Sequence, residues 1–319
     1  MLRLTPGIGM SYLFNWERAS TFWRLANFMS LGSVLQTAVS GMLAATTSVC
    51  VASNNVANAR TAGFKASRPV FTTQPSSTIR AGSAPNARSG GTNPVQVGIG
   101  VKVAAIATDF SQGSIVASSN PLDVALEGDG FFIVEGPTGA PAYTRAGSLH
   151  LNAHGEIVTA AGERLLGFGV NEQFQVQEGQ LQPLSVPFGA SIESADGSTA
   201  TIVSVSITDS GRIRGKFSDG VDRDLGQIRI ARFTNPSGLD ADVDSRFQPG
   251  SNSGLPIDSD PGEDGSASLV AGATELSNAD IGQNLIDLFM AADYFRANAA
   301  VLRTADSLLD ELTGLSRAR

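Results

Sequence analysis

Residues 30–58 contain no Asp, Glu, Lys or Arg, and Leu35, Val39, Met42, Thr46, Val49, Ser53 and Val56 step through them by four and three. That spacing predicts a helix with a heptad seam. Its other faces carry Ala38, Ala44, Ala45, Thr47, Ser48 and Ala52, small side chains that admit close neighbours on all sides. Near the end of the chain Ile281, Leu285, Leu288, Ala292, Phe295, Ala299, Leu302 and Leu309 repeat the same steps, with Asp306 interrupting once. Only this second helix has a charged face, formed by Asp287, Asp293, Arg296, Arg303 and Asp310. One partner helix cannot cover the uncharged one completely.

Between the helices the pattern changes to short alternating runs separated by glycine and asparagine turns, at 98–107, 122–126, 131–134, 202–207, 213–217 and 227–233. The predicted class is α+β: N- and C-terminal helices forming a coiled-coil-like domain around a central antiparallel β-rich domain. Residues 78–94, with Pro85, Gly90, Gly91 and Pro94, read as an exposed linker. Residues 240–265, rich in Asp, Ser, Pro and Gly, read as a long acidic loop. The expected divisions are an N-terminal helix and connection at 29–77, the linker at 78–94, a β body at 95–275 and a C-terminal helix at 276–319. Residues 1–28 differ in composition, holding Tyr12 and both tryptophans, Trp16 and Trp23. They are expected to be an upstream extension, with translation starting at Met29.

With 42% apolar residues over 319 positions the chain can build a sizeable core, and a disordered chain is excluded. A net charge of −8 argues against nucleic acid as the main partner and against polybasic membrane docking. Cys50 is the single cysteine, so no intrachain disulfide or thiolate cluster forms. His150 and His154 are four apart, but their surroundings alternate and turn as a hairpin does, which disfavours helical zinc geometry. Asp240, Asp242 and Asp244 imitate the start of a calcium loop, yet Ser245 and Ser251 occupy its required glycine and glutamate positions. Gly98-Ile99-Gly100 and Gly128-Asp129-Gly130 lack the third glycine of a dinucleotide loop, and there is no Gly-x-Ser-x-Gly elbow. No catalytic, cofactor or metal residue is assigned, and neither a small-molecule substrate nor nucleic acid is expected. Loop carboxylates leave a hydrolase as one reading of another class. A membrane-anchored β-rich surface protein is a second, although the serines, threonines and Gln36 of the first helix make a marginal span.

Residues 53–67 (SNNVANARTAGFKAS) closely resemble the signature that follows the N-terminal helix of bacterial flagellar rod and hook proteins. Asn54, Asn55, Asn58, Gly63, Phe64 and Lys65 carry that match. Their physics is readable: Asn55 and Asn58 suit backbone hydrogen bonds at a helix end, Gly63 a positive φ, and Phe64 an anchor for the emerging chain. Residues 109–113 (DFSQG), 120–132 (NPLDVALEGDGFF), 143–148 (YTRAGS) and 275–280 (ELSNAD) match in the family's order. The resemblance implies export through the flagellar type III channel and polymerisation into the hollow flagellar axis, helices lining the tube and β domains outside. It implies an assembly interface at Leu35, Val39, Met42, Val49, Val56, Ile281, Leu285, Leu288, Phe295, Leu302 and Leu309. The implied partners are other copies of the chain, adjacent rod, hook and hook-junction proteins, the export apparatus and the hook cap. Residues 164–168 and 205–239 look more like hook than rod subunits, so hook is the first expectation and distal rod the alternative. Hook subunits usually carry a large outer domain after the position of Phe168, whereas here the strand at Ile202 follows soon after.

Overall fold

The computed structural model describes residues 16–171, 173–187, 192–193, 199–263 and 265–317; the first fifteen residues of the expected extension lie outside them. The chain is α+β. Helix α1 is Trp16–Ala57 and helix α2 is Ile281–Arg317. Helix α1 is already formed ahead of the start expected at residue 30, because Trp16 to Met29 contains neither glycine nor proline and carries several good helix formers. Two compact units result: unit 1 takes Met1–Val49, Val70–Ala105 and Phe289–Arg319, and unit 2 takes Cys50–Pro69 and Ile106–Leu288.

Within unit 1, α1 and α2 meet at a residue without a side chain. A Cβ built on Gly41 would lie 2.5 Å from Asn298 Oδ1. Small residues are the buried ones here, Ala38, Ser40 and Ala45 on α1 and Ala291 and Ala305 on α2. The stretch Gly32–Ala57 has a mean hydropathy of 1.5 and is long and apolar enough to cross a membrane. Its hydroxyls turn inward onto the helix itself: Thr37 donates to Ser33 O, Thr46 to Met42 O and Thr47 to Leu43 O.

The predicted linker is exposed, and it is a two-stranded arm of unit 1. Ser77–Arg80 pairs antiparallel with Val95–Val97, and bridges at Ser83↔Thr92 and Asn86↔Ser89 continue the pairing toward the tip. Cross-strand hydroxyl and backbone bonds between Ser83 and Thr92 replace the apolar alternation that would have announced a hairpin.

Unit 2 is built on two antiparallel sheets. The six-stranded sheet runs in the order Asp240–Ala241, Arg246–Gln248, Pro141–Thr144, Phe131–Glu135, Ile230–Arg232, Ile257–Ser259. The five-stranded sheet runs Gln182–Pro183, Leu166–Phe168, Asp222–Ile228, Arg212–Phe217, Ile202–Ile207. Adjacent side chains on a strand point to opposite faces. Phe132 accordingly enters the main core with Leu165, Ile213, Phe217, Ile228 and Ile230, while Phe131 joins an aromatic cluster with Tyr143, Phe233 and Phe247. That cluster packs edge to face, with Tyr143 and Phe233 centroids 4.8 Å apart.

Two readings need correction. The run 227–233 is not one strand, because the chain leaves the five-stranded sheet at Ile228 and enters the six-stranded sheet at Ile230. Arg229 turns the corner, pairing with Asp260 and stacking on Phe168 at 4.6 Å from the ring centroid. Residues 240–265 are not a continuous loop either, since they contribute both edge strands and the strand Arg246–Gln248, whose Phe247 is buried. Their acid-rich composition hides the few apolar positions that pair. The histidine hairpin stands as read, with His150 opposite Val158.

Burial, reinforced by the negative charge of Asp258, pushes the Tyr143 phenol from its ordinary 10.0 up to about 12. A group whose folded pKa is raised adds stability that is complete below the unfolded value and lost as pH climbs through the folded one. Unfolding measured by urea across pH 10–12 should therefore show the parent losing stability relative to Tyr143→Phe, by up to about 1.4 kcal/mol per pH unit. Parallel pH profiles for the two proteins would contradict this assignment.

Candidate functional site

The chain leaves α1 at Ala57 and enters α2 at Ile281, and the segments just outside those two ends meet in unit 2 around one carboxylate. Lys65 Nζ donates to Glu275 Oε1 at 2.7 Å and to Ser111 O at 2.7 Å. Gly113 N donates to the same Oε1 at 2.8 Å. On the other oxygen, Arg145 Nη1 lies 3.4 Å from Glu275 Oε2, and its Nη2 donates to Gly128 O at 2.7 Å. Lys65 and Glu275 side chains are 1% and 0% exposed and Arg145 is 2% exposed, so two cations share one anion out of reach of water. Burial draws the Lys65 ammonium below the ordinary lysine value; the bond and charge of Glu275 oppose that pull, and the Arg145 charge adds to it. The Arg145 guanidinium also stacks on Phe131, 5.5 Å from the ring centroid.

Gly63 brings the chain into this knot. Its N–H donates to Glu275 O at 2.9 Å, and its φ is +70°, the left-handed value expected for it. A Cβ there would lie 2.5 Å from Ala146 N and 2.6 Å from the carbonyl carbon of Arg145, so only hydrogen fits. Amides then brace the helix ends. Asn55 donates through Nδ2 to Ser67 O and to Asn284 Oδ1, both at 2.8 Å, and its Oδ1 accepts from Ser67 N at 3.0 Å. Asn278 accepts from Ala66 N at 2.7 Å and donates to Asp109 O at 2.8 Å and Ser111 O at 3.0 Å. Hydrogen bonds from Ser111 hold the Asp109 carboxyl below the usual carboxylate range. Another buried carboxylate, Asp123, makes no ion pair among the described residues and accepts instead from Ser118 Oγ at 2.6 Å, Asn120 Nδ2 at 2.8 Å and Leu149 N at 3.2 Å.

The motif residues therefore divide. Asn55, Gly63 and Lys65 are buried at the junction, Asn58 folds back to Asn54 O at 3.0 Å, Phe64 is half-buried and Asn54 exposed. Of the helical positions, Leu35, Met42, Val49, Val56, Leu288, Leu302 and Leu309 are half-buried, while Val39, Ile281, Leu285 and Phe295 are exposed. Residue-by-residue reading did not single out Glu275, Arg145, Ser111, Asn278 or Asn284. Glu275 and Arg145 did carry a signal, each being a lone charge beside an apolar strand with no opposite charge at helical or hairpin spacing. Both oxygens of Glu275 are engaged, so the arrangement holds chain segments together and leaves no free base.

Removing one member of a buried ion group strands the others. Glu275→Gln should lower the unfolding free energy by about 3–5 kcal/mol in urea titration, and a loss under about 1 kcal/mol would show the knot to be solvated. Gly63→Val meets both the left-handed φ and the Arg145–Ala146 backbone, and its cost should exceed the roughly 1–2 kcal/mol of the φ alone. An unchanged thermal midpoint for Gly63→Val would contradict the close approach.

Comparison with known proteins gives one consistent result. Residues 125–215 match the model described as the flagellar hook protein FlgE/F/G D1 domain, and residues 35–65 match the flagella basal body rod protein model. The flagellar basal-body rod protein FlgG of Bacillus subtilis (strain 168) is 33% identical over 284 residues, covering 89% of this chain and 98% of the relative. FlgG of Caulobacter vibrioides is 34% identical over 285 residues, covering 88% and 98%. The flagellar hook protein FlgE of Treponema pallidum is 23% identical over an alignment of 456 residues, again covering 88% and 98%.

Proposed function

The chain belongs to the family of bacterial flagellar rod and hook proteins and is a structural subunit of the flagellar axis; we propose that it polymerises there through the exposed faces of α1 and α2, as part of the rod. The family is structural and its members in general are not enzymes. One observation carries the polymer reading: Ile281, Leu285, Phe289, Phe295, Leu308 and Leu315 on α2 are all exposed in the single chain. A soluble monomer rarely leaves so many large apolar side chains uncovered. Helices of neighbouring copies in a coiled-coil-like bundle would cover them, and the back-bonded threonines of α1 suit the same surroundings, since their hydroxyls need no water. The proposed assembly interface is that of the sequence reading: Leu35, Val39, Met42, Val49, Val56, Ile281, Leu285, Leu288, Phe295, Leu302 and Leu309. Adjacent rod, hook and hook-junction proteins would be its neighbours, and type III export, with the export apparatus and hook cap as transient partners, its route.

Alignment length supports rod over hook. The rod relatives align over 284 and 285 residues, whereas the hook alignment runs to 456, so the hook relative contains segments this chain lacks. The hook reading retains the support of the FlgE match along most of the chain.

Electron microscopy of flagellar stubs from a strain lacking the gene should find assembly stopped within the rod. A stop at the hook would favour the hook reading, and ordinary flagella would remove the axial one. At residue level, Phe295 is 43% exposed in the monomer, so Phe295→Glu should change the unfolding free energy of the monomer by no more than about 0.5 kcal/mol. Burying that unpaired carboxylate in a bundle costs more than about 1.4 kcal/mol, so polymerisation should fall at least tenfold. Polymerisation at the parental level by Phe295→Glu would exclude that face from the interface.

A further inference from the structure

Helices α1 and α2 touch through side-chain amides in both compact units. In unit 1, Asn298 Oδ1 occupies the space that a side chain at Gly41 would need. In unit 2, Asn55 Nδ2 donates to Asn284 Oδ1 at 2.8 Å, and both residues are buried. The amides are partnered elsewhere as well. Asn55 donates to Ser67 O and accepts from Ser67 N, Asn284 donates to Asp280 O at 2.7 Å, and Asn298 donates to Tyr294 O at 2.8 Å.

Fourteen residues separate Gly41 from Asn55 on α1, and fourteen, counted backward, separate Asn298 from Asn284 on α2. That interval is two heptads. At the step between stand Ser48 on α1 and Ala291 on α2, and Ala45 and Ala52 are buried on the same face of α1. Side chains this small and this alike do not fix a pairing by shape, since a displacement of one heptad only exchanges one small residue for another. The amides do fix it. Displaced by seven residues, Asn298 would face Val34 or Ser48, whose side chains fill the space that Gly41 leaves. Asn284 would then face Ser48 or run past the end of α1 at Ala57. Other rows at a strict seven-residue step are Met42, Val49 and Val56 on α1 and Val301, Leu308 and Leu315 on α2. Neither row has a hydrogen-bonding side chain, so a buried amide set against it loses its partner.

We propose that Asn55, Asn284 and Asn298 decide which helix α1 accepts: they admit the α2 of the same chain, in one register, and reject the helices of other copies. A polar layer in an otherwise apolar seam fixes register and partner in this way, at some cost in stability. The proposal rests on the reading that the chain polymerises, because the helices of neighbouring copies then compete for the same faces. The amides keep each chain's own pair together and leave the larger side chains of both helices for the neighbours.

The test uses the full chain carrying Cys50→Ser, Ser48→Cys and Ala291→Cys, with both cysteines midway between the amide contacts. Isotope-labelled and unlabelled protein are refolded together from urea in equal amounts, polymerised and treated with a short bis-maleimide. Peptides linking 48 to 291 are then sorted by mass, and links of mixed isotope come only from two chains. In the parent, mixed links should stay at the level found when the two proteins are refolded apart and combined after quenching. Asn55→Leu with Asn284→Leu should raise the mixed share about tenfold. Asn298→Leu, which leaves the Ser67 bonds of Asn55 in place, should raise it about threefold. Abundant mixed links in the parent overturn the proposal, and so does a parent with no 48 to 291 link at all. Folded variants whose melting temperature falls while their mixed share stays parental also overturn it, since that is the mark of bracing alone. Should the double leucine variant prove unfolded in a thermal melt, Asn298→Leu decides. Sedimentation scores polymerisation separately: a parent that forms no polymer sinks the axial reading, while the mixed share of the refolded chains still decides the choice of partner.

Discussion

A carboxylate shut away from water must be met by cations and donors, and at Glu275 that requirement governs how unit 2 closes. Each buried ion costs several kcal/mol in lost hydration, recovered only when its partners stand at hydrogen-bonding distance. Displacing Lys65, Arg145 or the Gly113 amide would therefore leave Glu275 short of a partner in a dry site. An apolar cluster of the same volume could be as stable, but it would accept a slipped register more readily. The ionic version instead ties the segment after α1, the segment before α2, and the Asp109–Gly113 and Gly128 turns to one point.

The β core and the helical surfaces differ in how completely they close. Phe132, Leu165, Ile213, Ile228 and Ile230 close the β core without help from the helical surfaces. Those surfaces keep large side chains such as Phe289 and Leu315 in the open, an arrangement that makes sense for a subunit of a polymer and poor sense for a lone soluble domain. The α1 face that is buried is made of alanine and serine, where backbones approach closely. Its longer side chains, Val39 and Leu43, remain exposed.

How much of this could be read beforehand depended on distance along the chain. The strand Ile202–Ile207 and the histidine hairpin follow from alternation over a few residues, and Gly63 from the turn chemistry of its neighbours. The Lys65–Glu275 pair spans 210 positions and leaves no periodic trace; only its family motifs, matched as whole segments, pointed to the place. Composition misled in two stretches. The arm at 77–97 pairs through hydroxyl and backbone groups rather than apolar alternation, and the acid-rich residues after 240 conceal strands whose buried positions are few. At Arg229 one apolar run serves two sheets, and only the tertiary stacking on Phe168 marks the break.

The junction is graded in the kind of tie it uses. Nearest the helices the ties are neutral amides: Asn55 to Ser67 and Asn284, Asn278 to Ala66. Each such bond contributes about 1 kcal/mol net, and because Asn55 and Asn284 are buried, an amide left without a partner there costs about 1–3 kcal/mol. One step further in stand the ions, where displacement exposes an unpaired charge in a dry site. Loss of an amide tie is therefore the smaller penalty and loss of an ionic partner the larger, so within unit 2 the ends of α1 and α2 are held less strongly than Lys65, Arg145 and Glu275 are held to one another.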